Sequence, residues 1–403
     1  MSRWEPYQRR LLLFLSVATF FEGYDFFALS QLLPRLRQDF DLSPAEGAAM
    51  TGVINAGTVL AYLIVDHADR WGRKRVLTIT IIGYTLFTLL SGLALGPITF
   101  TLCQVVARVF LLGEWATSMV IAAEEFPAER RGTVIGIISA AAGFGSIVCA
   151  GVVPLLLKTP LGWRSVYFAG VIPLVLIAWS RRSLRETRRF EERAAAPRRS
   201  LLAIWNTPHK KRVLQMGSIW FLCYICAQNA VTFWKDFALN ERGLSEEAAS
   251  GAIVQAALIG MAVAFAAGRF LDAVGRKIGG SVLIGCMAIG VFAAYTAQGA
   301  LSLKIALCIG MIGINTMLTV LNTFTTELFP TEHRAAAFAW SNNLIGRIGY
   351  WLSPFVIALL VDLRGFGAVV RWTAPFPVLA IVLIWLFLPE TNGKELEQSA
   401  KLE

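Results

Sequence analysis

The chain has 403 residues, of which 56% are hydrophobic and 16% are charged, and it carries a formal net charge of +10. A soluble protein is usually nearer to about 25% charged, so this composition excludes an ordinary soluble domain and predicts an integral membrane protein. The first apolar run follows Arg9 and Arg10. It is too long for a cleavable signal peptide and no small-residue cleavage site follows it, so it predicts a permanent helix.

Twelve apolar segments are long enough to cross a bilayer, since about 20 residues rising about 1.5 Å each span its hydrocarbon core. They are too apolar for the alternating strands of a membrane barrel. We therefore predict an all-α, multi-pass membrane protein. In chain order, the predicted spans are 11–33, 44–66, 76–96, 98–122, 132–157, 163–180, 213–235, 248–270, 279–298, 301–325, 335–361 and 369–389.

The basic residues are unevenly distributed between the two sides of the predicted membrane. If the N-terminus is inside, most of the 37 Lys and Arg residues fall in cytoplasmic segments, as the positive-inside rule requires. Both termini are then cytoplasmic, in the plasma membrane, which is the inner membrane if the source is bacterial. The basic connection 181–212 can lie on anionic headgroups. Binding of a nucleic acid there is a weaker alternative, so no nucleic-acid partner is expected.

The cysteines and histidines do not indicate a chemical centre. All six cysteines fall inside predicted spans, where none is placed for an extracellular disulfide. Cys223 and Cys226 have the spacing of a metal or redox pair, but without a second ligand pair they are better interpreted as small core residues. His67, His209 and His333 lack metal-ligand spacing. With no nucleotide-binding loop either, we expect no cofactor, no metal site, no catalytic residues and no enzyme activity.

Two motifs recur 203 residues further along the chain. The segment 69–74, Asp-Arg-Trp-Gly-Arg-Lys, matches 272–277, Asp-Ala-Val-Gly-Arg-Lys. The segment 124–131 matches 327–334, with Glu-x-Phe-Pro-x-Glu-x-Arg in both copies. Two independent motifs at one offset predict an internal repeat.

The repeat predicts two six-helix bundles, 1–180 and 213–403, joined by the basic cytoplasmic connection 181–212. Parallel repeats of this kind are typical of secondary transporters, whose substrates bind at the repeat interface near the midplane. The Asp-Arg-x-Gly-Arg-Lys turn and its copy resemble the loop signature of the major facilitator superfamily. Val65 departs from that signature, because the family usually has Gly there, as Gly268 in the second copy.

The charges of these loops are candidates for gating. Asp69 and Asp272 can pair at the cytoplasmic helix ends with Arg131 or Arg334, which would hold the two bundles closed on the inner side until they rock apart. The alternative is that the charges only anchor the loops. The gating candidates are Asp69, Arg73, Arg131, Asp272, Arg276 and Arg334.

Glu22 and Asp25 lie in the middle of the first span and, three residues apart, share one helix face. An ionised group at that depth costs roughly 2.5 kcal/mol or more, and two like charges there cannot both ionise easily. The pair is therefore a candidate proton carrier, with a packing role as the alternative. Glu22-Gly23-Tyr24-Asp25 also resembles the Asp-Gly-Tyr-Asp motif of aromatic-acid and related metabolite:proton symporters, with Glu in place of the first Asp.

Two arginines lie inside spans and must pair with an acid, a carbonyl or an anionic substrate, because arginine stays protonated. The Arg-x-Gly…Pro pattern that begins at Arg347 is similar to the eleventh span of organic-anion and metabolite symporters, which implies that Arg347 binds a substrate anion. Arg108 is a second anion candidate, unless it pairs permanently with Glu22, Asp25 or Glu114. Glu114 is expected to pair with another helix or to join a proton path.

Further polar and aromatic residues are candidates for substrate binding. At the repeat offset, Gln228 takes the place of Asp25, so span seven is the neutral counterpart of span one. Each candidate could instead form an ordinary interhelical hydrogen bond or pack in the core. These candidates are Tyr24, Gln228, Asn229, Asn315, Asn322, Asn343 and Tyr350.

The combined interpretation is a monomeric symporter that carries a small organic anion with protons by alternating access. A monocarboxylate is favoured, and an aromatic one fits the motif of the first span. The second hypothesis is an exporter of drugs or organic cations with the same fold. Arg347 near the midplane argues against it, because a cation site should not contain an unpaired arginine. A receptor or scaffold that transports nothing is the third hypothesis.

Overall fold

The computed structural model of the chain describes residues 5–170 and 201–394. Within these ranges it describes the backbone alone at residues 62–71, 123, 128, 129, 131, 201 and 331. The side chains of two gating candidates, Asp69 and Arg131, and of Val65 therefore lie outside the described part, as do most of the sixth predicted span and most of the 181–212 connection.

The described residues form two compact units. The first contains residues 5–41 and 53–170, and the second contains residues 42–52 and 201–394. The helices of the first unit, with α2 beginning in the second, are α1 (Pro6–Asp39), α2 (Pro44–Trp71), α3 (Arg73–Gly92), α4 (Pro97–Glu125), α5 (Ala128–Leu156) and the short α6 (Arg164–Phe168).

Besides residues 42–52, the second unit contains a short 3-10 helix, Leu201–Asn206, and seven α-helices, of which the apolar α13 is the last. Its α-helices are α7 (Lys210–Asn240), α8 (Glu246–Val274), α9 (Arg276–Ala294), α10 (Ala300–Glu327), α11 (Thr331–Phe338), α12 (Arg347–Val370) and α13 (Pro375–Phe387). A π-helical segment, Ala339–Gly346, joins α11 to α12.

The described helices agree with the predicted spans and extend beyond most of them. Nine stretches of the described chain are long and apolar enough to cross a membrane, and the last, Glu332–Phe387, contains the predicted span 335–361 and most of 369–389. The helix α7 runs over 210–240 where the apolar window covers 213–235, because backbone hydrogen bonding continues into polar turns. The count of twelve spans stays a prediction, because the sixth lies mostly beyond residue 170 and α2, which matches the second, is not among these nine stretches.

The repeated loop motif adopts the same turn in both copies. Gly72 has φ +92° and Gly275 has φ +98°, a backbone conformation that residues with a Cβ atom rarely adopt. These turns join α2 to α3 and α8 to α9. The glycine of the motif is therefore required by the geometry of the turn.

Two glycines bring α1 and α5 into direct backbone contact. A Cβ atom added at Gly23 would lie 1.9 Å from the Ala142 carbonyl oxygen, and one at Gly145 would lie 1.9 Å from the Phe20 carbonyl oxygen. Ser146 also donates a hydrogen bond to the Gly23 carbonyl at 2.9 Å. Small residues allow such approach between membrane helices, and this contact fixes the rotation of α1 about its axis.

An apolar cluster fills part of the first unit between α1, α3, α4 and α5. Ala18, Ile81 and Leu111 belong to it and are nearly inaccessible. About one helical turn further along α1 and α4, the chain places Glu22 and Glu114. Tyr84, one turn beyond Ile81 on α3, is itself part of the cluster. Glu22 therefore follows the last cluster residue of α1, and Glu114 lies between the cluster residues Leu111 and Ile121 of α4.

Candidate functional site

Three acidic side chains are buried inside the first unit. Glu22 is 6% exposed, Asp25 is 5% exposed and Glu114 is fully buried. Asp25 Oδ2 accepts a hydrogen bond from Thr88 Oγ1 at 3.4 Å, and Glu114 Oε1 accepts one from Ser118 Oγ at 2.8 Å. Two of the acids are thus positioned by hydroxyl groups that the sequence analysis did not select.

Arg108 on α4 lies against α1. Its Nη1 donates to the Phe26 carbonyl at 3.5 Å, and its guanidinium is 4.2 Å from the centre of the Phe26 ring. It also interacts electrostatically with Asp25 and with Tyr167 of α6. Within this unit Arg108 is therefore an electrostatic neighbour of the candidate proton carrier.

Tyr24, a substrate-binding candidate, points into the interior of the first unit. It is 4% exposed and interacts electrostatically with Cys149 on α5 and with Asp25. Its position follows from the close contact of α1 with α5, which turns residue 24 toward that helix.

Arg347 begins α12 in the second unit, directly after the π-helical segment. Its side chain is half-buried. Among the described residues, its guanidinium forms no hydrogen bond and no ion pair, although it lies within electrostatic range of the Tyr224 hydroxyl. Single π-turns inside helices are frequent at functional sites. Arg347 is therefore a cation in a span that the described protein leaves available for an anion.

Aromatic rings and one amide lie beside Arg347. Tyr224 Oη donates to Asn342 Oδ1 at 2.8 Å. The Tyr224 ring stacks on Trp220, with 5.4 Å between centroids, and meets Tyr350 edge-on at 5.8 Å. This group can offer flat apolar surfaces next to a positive charge.

The glycine of the Arg-x-Gly pattern positions this group. A Cβ atom at Gly349 would lie 2.5 Å from the Phe221 carbonyl oxygen, and one at Gly346 would lie 2.7 Å from Cβ of Trp220. Glycine at both positions therefore lets this part of the chain pack directly on α7, which carries Tyr224.

The remaining substrate candidates are dispersed in the second unit. Gln228 Nε2 donates to Thr232 Oγ1 at 2.9 Å, and Asn229 Nδ2 donates to the Ile225 carbonyl at 2.9 Å, both within α7. The Asn315 amide packs against Gly260 of α8. Asn322 and Asn343 are half-buried on α10 and on the π-helical segment. The structure places Tyr350 beside the Arg347 group, and Gln228 lies one helical turn from Tyr224 on α7.

The loop motifs contain an ion pair that recurs in both units. Arg73 Nη2 is 3.3 Å from Glu124 Oε1, and Arg276 Nη2 is 2.9 Å from Glu327 Oε1. Asp272 Oδ1 contacts Arg276 Nη1 at 2.6 Å. Arg334, the partner expected for Asp272, donates instead to the Phe329 carbonyl at 3.4 Å.

The C-terminal segment covers the start of α9. Glu390 Oε1 accepts from the Arg276 backbone N–H and Oε2 from the Lys277 N–H, both at 2.9 Å. Burial opposes the charge of Glu390, but the four backbone N–H groups around it, including those of Thr391 and Asn392, lower its pKa below the usual range. This carboxylate therefore caps the N-terminus of α9.

Cys223 and Cys226 are buried and free. In the described part of the chain, no group of three or more His, Cys, Asp and Glu side chains could hold a metal ion.

Several residues of the site were missed in the sequence because their types are ordinary in membrane helices. Tyr224 lies between Cys223 and Cys226, which were considered as a metal or redox pair. Asn342 directly precedes Asn343, which was predicted to bind substrate. Thr88 and Ser118 could have been found only through their helix partners. Glu124 and Glu327 were visible as members of the repeat, but their pairing with the loop arginines was not predicted.

Comparison with known proteins identifies the family. The Major Facilitator Superfamily model matches residues 15–354. The probable 4-methylmuconolactone transporter of Cupriavidus pinatubonensis is 27% identical over 394 residues, covering 93% of this chain and 89% of that protein. The gallate transporter of Pseudomonas putida is 27% identical, covering 91% and 88%, respectively. The cis,cis-muconate transport protein of Acinetobacter baylyi is 25% identical and covers 94% of each chain.

A solved structure supports the same architecture. The D-xylose-proton symporter superimposes with a TM-score of 0.75 at 19% identity, covering 96% of this chain and 99% of that one. This likeness shows the fold alone. The predicted all-α membrane fold is confirmed, as is the expectation of a transport protein rather than an enzyme. With a family match over most of its length, the chain belongs to the Major Facilitator Superfamily.

Proposed function

We propose that the protein is a symporter that carries a small organic anion into the cell together with protons, by alternating access. The observation that carries this proposal is Arg347, a half-buried cation inside a span with no hydrogen bond or ion pair to any described residue. A guanidinium fork binds carboxylates in two parallel hydrogen bonds. The neighbouring Tyr224 and Tyr350 rings favour a planar, aromatic monocarboxylate.

The buried acids of the first unit support proton coupling. Asp25 lies in electrostatic range of Arg108 and has Thr88 as a hydrogen-bond donor. A carboxyl group so placed can be neutral or charged, depending on what occupies its surroundings. In a symporter, proton binding and anion binding favour each other through a coupling free energy.

The names of the relatives support this substrate class. Those relatives are named as transporters of gallate, cis,cis-muconate and 4-methylmuconolactone, which are small organic acids or their lactone. The distribution of basic residues further supports a multi-pass protein of the plasma membrane with both termini in the cytoplasm.

Uptake into proteoliposomes tests the proposal, with gallate and cis,cis-muconate as probes. We expect an inward proton gradient to drive accumulation of at least one probe by the unaltered protein. Asp25→Asn should abolish the gradient-driven accumulation. Arg347→Lys should raise the apparent KM roughly tenfold or more, because a charge-assisted hydrogen bond is worth about 1.5–3 kcal/mol.

The matched control is Arg364→Lys, which makes the same substitution at an exposed position of α12 and should leave the KM unchanged. Equal accumulation with and without the gradient would contradict proton coupling. Transport of an organic cation such as ethidium, with neither acid transported, would instead support the exporter hypothesis.

A further inference from the structure

Tyr84 of α3 is a buried hydroxyl-bearing residue that the proposed function does not yet use. Its side chain is fully buried and packs in the apolar cluster of the first unit. Ordinary core positions of a membrane helix favour Phe or Leu, because a phenol brings a polar group that must be satisfied. We therefore expect the Tyr84 hydroxyl to have polar neighbours on the surrounding helices.

The Tyr84 side chain packs in the same apolar cluster as Leu111 of α4, which is about one helical turn from Glu114. The Tyr84 hydroxyl lies within electrostatic range of Glu114 on α4 and of Asp25 and Glu22 on α1, with Glu114 the strongest of the three. Its neighbour in the chain, Thr85, also interacts with it. Tyr84 is also one helical turn from Thr88, the hydrogen-bond donor to Asp25, and its buried hydroxyl has no hydrogen-bond partner among the described residues.

Asp25 and Glu114 each have one carboxyl oxygen engaged and one remaining. Thr88 takes Oδ2 of Asp25 and Ser118 takes Oε1 of Glu114. Asp25 Oδ1 and Glu114 Oε2 are buried and have no hydrogen-bond partner among the described residues. A buried carboxyl oxygen without a hydrogen bond costs free energy. A group that both donates and accepts hydrogen bonds between the two carboxyl groups would remove that cost.

We propose that Tyr84 relays the proton between Asp25 and Glu114 through bridging water. This inference rests on the proposed function. In the transfer, the Asp25 carboxylic acid gives its proton to Tyr84 Oη while Tyr84 releases its own to the Glu114 carboxylate. The O–H bond of Asp25 breaks, an O–H bond of Glu114 forms, and the phenol ends unchanged.

Other charged and titratable groups surround this chain of residues. Arg108 of α4 interacts electrostatically with Asp25. Tyr167 of α6 is as deeply buried as Tyr84 and is also close to Asp25, but its other neighbours are Arg108, Cys149 and Tyr24. Tyr167 does not have Glu114 among these neighbours, so it provides a matched comparison for Tyr84.

The test compares Tyr84→Phe with Tyr167→Phe in proteoliposomes loaded with a pH-sensitive dye, with gallate or cis,cis-muconate as the probe. Both substitutions remove one buried hydroxyl and keep the ring. For Tyr84→Phe we expect gradient-driven uptake and proton entry to fall roughly tenfold or more, since positioned proton transfer contributes about 10²–10⁴-fold. Exchange of internal for external probe, which needs no net proton movement, should persist. Tyr167→Phe should keep both activities.

Glu114→Gln provides the second variant. If both residues act in one chain, the double variant Tyr84→Phe/Glu114→Gln should be no slower than Glu114→Gln alone. Undiminished proton entry in Tyr84→Phe, additive losses, or an equal loss of exchange would overturn the relay. Failure of the unaltered protein to couple uptake to protons would instead remove the proposed function itself, and the relay with it.

Discussion

Arg276 and Glu327 form an ion pair at 2.9 Å between the loop motif of the second unit and the end of α10. Counting back 203 residues gives Arg73 and Glu124, which form the same pair at 3.3 Å in the first unit. The internal repeat therefore preserves an interaction between two motifs as well as the motifs themselves.

The Arg276–Glu327 pair should contribute more to stability than the contact of Arg276 with Asp272. Glu327 is 17% exposed and Asp272 is 68% exposed. Glu327→Gln should lower the free energy of unfolding by about 1.5–3 kcal/mol. Asp272→Asn should cost less than about 1 kcal/mol, because exposed pairs are weak. Thermal unfolding in detergent measures both, and equal losses would contradict this ranking.

Glu390 should make stability depend on pH. Its pKa is lowered from the ordinary 4.5, so the unfolded chain binds the proton more readily than the folded one. Its contribution is complete above the unfolded pKa and is lost as the pH falls through the lower folded value. At neutral pH, Glu390→Gln should lower the unfolding midpoint, as expected for loss of a cap worth about 1 kcal/mol.

The measurement is a pH series of unfolding midpoints for the original protein and Glu390→Gln. The difference between them should shrink once the pH falls below 4.5. A difference that stays constant, or grows, as the pH falls would show that the carboxylate charge is not what stabilises the start of α9.

Gly23→Ala should disrupt the contact of α1 with α5. The added Cβ atom would lie 1.9 Å from the Ala142 carbonyl oxygen, so the helices must separate, at a cost of about 1–3 kcal/mol for overpacking. Gly136→Ala on α5 is the matched control, because nothing lies within 4 Å of its added Cβ atom. It should be neutral or stabilising, since Ala favours helix over Gly by about 1 kcal/mol.

The unfolding midpoint and gallate uptake of both variants check this prediction. Loss of stability in Gly136→Ala as large as in Gly23→Ala would mean that glycine matters on α5 for a reason other than close packing.

Most helices could be located from the sequence because crossing a bilayer requires a long apolar run, and that is a local property. The helix α10, Ala300–Glu327, differs from the predicted span 301–325 by only a residue or two at each end. Two irregularities were not predicted. The π-helical segment before Arg347 and the break at Gly365, with φ +74°, depend on how neighbouring helices pack.

The sequence by itself determined the membrane-spanning class, the internal repeat and the costly charges, Glu22, Asp25 and Arg347, because apolar length and buried charge have physical costs that are independent of the partners. The tertiary structure alone decided which groups meet these charges. Thr88 of α3 meets Asp25 of α1, and Tyr224 of α7 lies within electrostatic range of Arg347 of α12. Such pairings depend on the rotation of each helix about its axis, which close contacts such as that at Gly23 fix and which no local pattern encodes.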